Sequence, residues 1–158
     1  MPEKLPLNVF LRTFKLSPRV AVRLLFVNPD GKILLVRRIL PVRQSTWHLP
    51  GAFILRDEKI SKCIERIAKD ELGLRIKGTS GDIVGVFEDL EHDPRGHIVK
   101  LIYRFTLDRE PRIARDSGRE CRFVSKIPKS VGLQYGDIAR HAASRRRKSS
   151  SGERPRSV

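Results

Sequence analysis

Residues 57–74 read Asp57-Glu58-Lys59-Ile60-Ser61-Lys62-Cys63-Ile64-Glu65-Arg66-Ile67-Ala68-Lys69-Asp70-Glu71-Leu72-Gly73-Leu74, and this stretch decides the fold. Ile60, Cys63, Ile64, Ile67 and Ala68 fall at i, i+3, i+4, i+7 and i+8, the spacing that lays one apolar stripe along an α-helix. Asp57 stands where an N-cap is wanted, and Gly73 where a helix stops. Glu71 lies seven positions after Ile64 and four after Ile67, which puts it on the apolar stripe. It also sits in the last turn, where the helix dipole disfavours a negative charge by about 0.3–1 kcal/mol. A carboxylate so placed either needs a counter-charge, a metal cation or an arginine, or lies beyond the end of the stripe and reaches water. Asp70 lies at the stripe's edge.

Outward from this helix the chain alternates strands and turns. Val20 to Val27 is a strand by its β-branched and apolar content. Asn28-Pro29-Asp30-Gly31 is a turn, and Lys32 to Arg38 returns as the second arm of a hairpin. Pro41 to Ser45 and the stretch after Trp47-His48-Leu49-Pro50-Gly51 read as loops. Gly81 to Leu90, His97 to Leu107 and Glu120 to Val124 are further strands, and Pro128 to His141 is weakly helical. Strands around one or two helices imply a single domain of α/β (α+β) class with a mixed sheet. Residues 1–18, with Pro2, Pro6 and Pro18, read as an extended arm docked through Val9, Phe10 and Phe14.

Pro50-Gly51-Ala52, Glu58, Arg66, Asp70, Glu71 and Gly73-Leu74 together resemble the Nudix box, G-x5-E-x7-R-E-U-x-E-E-x-G-U with U a bulky aliphatic. The lead-in Leu-Leu-Val-Arg-Arg, the Trp-His-Leu-Pro-Gly run and the late Phe123-Val124-Ser125 strand agree, so the likeness spans about Val20 to Ile127. The subgroup it is most similar to is the GDP-mannose mannosyl hydrolases, which share Gly85-Val86-Phe87 and also lack the Glu after the box arginine. The resemblance implies an α/β/α sandwich around a central mixed β-sheet, with Mg²⁺ or Mn²⁺ as cofactor. It implies a substrate made of a nucleoside diphosphate linked to another moiety, GDP-mannose-like. Glu71 would be the main metal ligand, assisted by Asp70, Glu58 and a loop carbonyl near Ala52. The helix end offers the oxygen donors that such an ion prefers. Arg66 would orient those acids or meet a phosphate. Arg37, Arg38 and Arg43 would hold phosphates or the sugar, or else are surface charges. The subgroup also suggests a homodimer, with residues 1–18 able to mediate it.

The chain departs from the pattern in three places. Ala52 takes the first box glycine, Ile67 takes the Glu after the arginine, and the loop before the late strand (Arg115 to Glu120) has no histidine. Loss of a general base costs about 10²–10⁴ in rate. Glu120 and Asp116, then Glu88, Asp89, His92 and His97, are the candidates to replace it. Trp47 and His48 read as packing residues. The alternative is a Nudix-fold domain that binds nucleotides with little or no turnover.

Charge and composition bound the rest. The 158 residues carry 33 Lys+Arg against 18 Asp+Glu, a net charge of +15. Arg140 to Val158 holds seven basic residues and one acid, or +6, which leaves +9 on the remainder. Residues 144–158, rich in Ser, Arg and Pro, form a disordered basic tail, either a solvated tail or an arm that binds nucleic acid through phosphates. Residues 19–143 form the domain. The start shows no apolar signal segment and no run approaches a membrane span, so a cytoplasmic protein is expected. Two cysteines outside any C-x-x-C pair give neither a disulfide framework nor a zinc site.

Overall fold

A computed structural model describes residues 3–38, 46–91, 93–113 and 119–127. The elements are α1 (Leu7–Thr13), β1 (Arg19–Val27), β2 (Ile33–Arg38), β3 (Gly51–Phe53), α2 (Ile60–Leu72), β4 (Asp82–Asp89), β5 (Ile98–Thr106) and β6 (Arg119–Val124). They form a six-stranded mixed sheet in the order β4-β5-β1-β2-β6, with β3 joined to β1. β1 runs parallel to β5 along its whole length, from Arg19↔Ile98 to Val27↔Thr106, while the other pairings are antiparallel. A central strand is buried on both faces and so reads as a near-continuous apolar run. Accordingly, Val22, Leu24, Leu25 and Phe26 are fully buried.

The pleat divides the core. Val22, Leu24, Phe26, Leu34 and Val36 face α2 and pack on Cys63, Ile64, Ile67 and Leu72. Leu25, Val27, Ile33 and Leu35 face the other way and pack with Trp47, Leu49 and Ile102. Each large apolar side chain buried in these clusters stabilises the fold by about 1.5–3 kcal/mol.

The β1–β2 hairpin is closed at its turn and open beyond it. Asn28 is buried, its side-chain oxygen accepts from Lys32 N at 2.7 Å, and Gly31 takes φ 81°. Past the Val27↔Ile33 pair the strands part. The segment 48–53 lies between them. His48 exchanges backbone hydrogen bonds with Val36 of β2, at 2.8 and 2.9 Å. Leu24 N of β1 donates to Pro50 O at 2.8 Å, and β3 continues along β1. The stretch read as a loop after Gly51 therefore begins with a short strand paired to β1.

Two helical expectations change. The helix begins at Ile60 with Lys59 at its N-cap, while Asp57 is exposed at φ 59°. Asp tolerates that left-handed turn. Gly73 does close α2, at φ 68°, with Gly73 N donating to Lys69 O, the bond of an αL stop, and Leu74 N to Ala68 O. The N-terminal arm is helical rather than extended over Leu7–Thr13. Pro6 is harmless at its start, where an N–H would have no partner within the helix. Phe10 and Phe14, one turn apart, meet Phe53 edge-on with ring centres 5.2–5.6 Å apart. Val9 is exposed. The expected helix of residues 128–141 and the basic tail lie outside the described residues. No helix among the described residues is long and apolar enough to cross a membrane.

Candidate active site

Glu71, in the last turn of α2, is 7% exposed. Its Oε2 accepts a hydrogen bond from Gly51 N at 3.0 Å, and its Oε1 lies 3.5 Å from Arg119 Nη2. A backbone donor and a guanidinium thus supply the compensation that its position demands. Arg119 also reaches the Asp70 carbonyl at 3.4 Å. Around Glu71 opens a cavity of about 450 Å³. Asp70, Ile67, Gly51, Arg23 and Arg119 are among the residues that line it. Asp70 and Glu71 are the carboxylates among the described lining residues.

Glu58 lies outside this lining. Its side chain is 4% exposed, and its oxygens take both Arg66 Nε and Nη2 (2.7 and 2.8 Å) and the Leu55 N–H (3.0 Å). These bonds, above all the one from Arg66, hold its carboxyl below the usual range. With its lone pairs so engaged, Glu58 braces the loop and is not placed to bind a metal. Arg66 completes the brace through Phe53 O at 3.1 Å. This agrees with the expectation that it orients an acid, although the acid is Glu58.

The carbonyl of Ala52 itself is turned away from α2. Leu24 N donates to Pro50 O and Ile54 N to Val20 O, so the alternation of an antiparallel ladder turns Ala52 toward β1. The backbone groups turned toward α2 are those of Gly51, whose N–H holds Glu71, and Phe53, whose carbonyl holds Arg66.

Glu120 is corrected more sharply. On β6 its neighbours Arg119 and Cys121 point to the α2 side, so the pleat sends Glu120 to the opposite face. There it binds Arg37 at 2.5 and 2.7 Å and Arg122 at 3.3 Å. Both guanidiniums lie over the Trp47 ring, 4.9 and 5.3 Å from its centre. Glu120 is not positioned to act as base beside Glu71, and Arg37 shares its face. Arg38 lies in β2, and its side chain, Arg43, His92 and Asp116 are outside the described residues. Of the remaining base candidates, Asp89 is buried against Lys100 at 2.5 Å and His97 is 3.5 Å from Glu88. None of the three lines the cavity. Burial pushes the Cys63 thiol up to about 12 and raises Cys121 as well, so neither serves as a thiolate nucleophile at neutral pH.

Sequence reasoning missed Arg23 and gave Arg119 no role. A charge inside the apolar run Val20 to Val27 was a visible signal for Arg23. Arg119 became legible only through its register opposite Arg38 on β2.

The donors fit a hydrated divalent ion better than a closed cage. Among the described residues no group of three His, Cys, Asp or Glu side chains gathers as a metal site. Two carboxylates at a helix end suit Mg²⁺, which keeps several waters and takes substrate phosphate oxygens.

Residues 17–127 match the NUDIX domain family. An ADP-ribose pyrophosphatase of Methanocaldococcus jannaschii is 31% identical over 116 residues, covering 72% of this chain and 67% of that protein. The MutT protein of Methanosarcina mazei Go1 superposes with a TM-score of 0.68 at 20% identity, over 84% of this chain and 97% of that one. The NUDIX domain of Shewanella oneidensis NrtR, in complex with ADP ribose, gives 0.62 at 16% identity, over 89% and 99%. At such identities these two likenesses speak for the fold. The chain belongs to the Nudix family and is a Nudix hydrolase. The GDP-mannose mannosyl hydrolase subgroup finds no support in these relatives.

Proposed function

We propose that this chain hydrolyses a nucleoside diphosphate linked to a second moiety, with ADP-ribose as the leading substrate. The observation that carries the reading is the Glu71 carboxylate, fixed by the Gly51 N–H at the edge of an arginine-lined cavity. The ADP-ribose pyrophosphatase relative favours ADP-ribose over GDP-mannose.

Glu71 and Asp70 are the residues that would hold Mg²⁺ or Mn²⁺. Such an ion neutralises a diphosphate and polarises the bond being broken. The protein's part is positional. Glu58 and Arg66 fix residues 53–55 against α2, and β1 fixes Gly51, so the Glu71 carboxylate is aimed before substrate arrives. Ile67, 1% exposed, gives the cavity an apolar floor at the position where the family carries a carboxylate.

The test is a panel of ADP-ribose, GDP-mannose, dinucleoside polyphosphates and nucleoside triphosphates with Mg²⁺, comparing wild type with Glu71→Gln. Turnover of ADP-ribose should fall about 100-fold or more in the variant, as loss of a principal metal ligand removes several kcal/mol of transition-state stabilisation. Equal rates for the two proteins would refute the assignment of Glu71.

A further inference from the structure

The cations around the cavity are not equivalent. Arg66 is held by Glu58, Arg119 lies against Glu71, and Arg95 is bound through two nitrogens by Asp93. Arg23 differs. No carboxylate among the described residues lies within ion-pair distance of it, and its Nε, like that of Arg119, is buried without a hydrogen-bond partner. It projects from β1 between Val22 and Leu24, both fully buried. A solubilising charge does not need so rigid a mount, whereas an anion receptor gains from one.

Its path is cleared by a missing side chain. A Cβ on Gly51 would collide with Arg23 Cδ and stand 2.6 Å from its Nη1. The arginine stem therefore lies across the backbone of the residue whose N–H binds Glu71. Arg23 leaves β1 on the face opposite α2, yet it lines the same cavity as Glu71, with Gly51 touching both.

We propose that Arg23 is a specificity-determining residue that receives phosphoryl oxygens and makes the site select diphosphates over monophosphates. This rests on the reading of the cavity as a nucleotide site. The planar guanidinium suits two oxygens at once. A diphosphate offers a second phosphoryl group and more negative charge to such a guanidinium than a monophosphate does.

The experiment uses the full chain and two variants, Arg23→Met, which keeps an apolar stem over Gly51, and Arg23→Gln. Binding of ADP and of AMP is measured by calorimetry with divalent ions chelated, and kcat and KM for ADP-ribose with Mg²⁺. Wild type should prefer ADP. Either folded variant should lose about 10- to 100-fold in ADP affinity, the scale of a charged hydrogen bond, and change little for AMP. Arg23→Lys should recover part of the loss. KM should rise with kcat changed by less than about threefold, the signature of uniform binding. An unchanged ADP-to-AMP ratio in a variant with a wild-type melting temperature would overturn the proposal, as would a wild type that does not prefer ADP. Absence of ADP-ribose turnover in wild type would instead refute the substrate reading, because the binding arms need no turnover.

Discussion

Two carboxylate–guanidinium clusters sit on opposite faces of this sheet. On the α2 face, Glu58 and Arg66 have side chains 4% and 21% exposed, with their remaining hydrogen bonds spent on the Leu55 N–H and the Phe53 carbonyl. On the Trp47 face, Glu120 is 33% exposed, and its partners Arg37 and Arg122 are 43% and 62% exposed. The chemistry is nearly the same and the consequences differ. The first cluster is largely buried and ties backbone next to Glu71. The second is screened by water and ties side chains to one another over an indole ring. Identity of residues does not separate structural from peripheral pairs here; burial and backbone partners do.

Four measurements can break or sharpen this contrast. The largest difference should be in activity. Glu71→Gln should cost about 100-fold or more in ADP-ribose turnover, whereas Glu120→Gln should stay within about twofold, as surface changes usually do. Next, Glu58→Gln leaves Arg66 without its carboxylate in a mostly buried place and should lower stability by about 3 kcal/mol. Urea unfolding would detect it, and a cost equal to that of Glu120→Gln would erase the distinction. The third is pH dependence. The hydrogen bond from Arg66 depresses Glu58's pKa below its ordinary 4.5. The stability it adds is therefore full above pH 4.5 and is lost as pH falls through the lower folded value. Asp93, lowered chiefly by its hydrogen bond from Arg95, acts with the same sign. The fall in melting temperature on the acid side should be shallower in Glu58→Gln than in wild type. The smallest effect is the stability change in Glu120→Gln itself, below about 1 kcal/mol for an exposed pair and diminished further by salt.

Much of this was legible in the chain. The body of the helix and the anomalous Glu71 followed from periodicity, because side-chain direction on a helix is set by local spacing, and Gly73 marked its stop, whereas its start, at Ile60, was set too early, at Asp57. The strands of β1, β2, β4 and β5 were close for the same reason. What escaped depended on neighbours remote in sequence. The pairing of β1 with β5 follows from no local pattern. The facing of Glu120 depends on strand parity, and a candidate taken from sequence proximity alone carries no parity. That the Ala52 carbonyl faces β1 could not be read locally, because hydrogen-bond phase along β3 is fixed by β1. Arg23 was passed over because a charge within an apolar strand gains meaning only when the cavity beside it is known.

The parted hairpin has a consequence of its own. Residues 48–53 are fastened to β2 at one end and to β1 at the other, like a strip sewn along both edges. The Gly51 N–H that holds Glu71 is thereby carried by backbone fastened to two strands. Such a seam keeps the backbone donor and the carboxylate that the helix presents in one fixed relation.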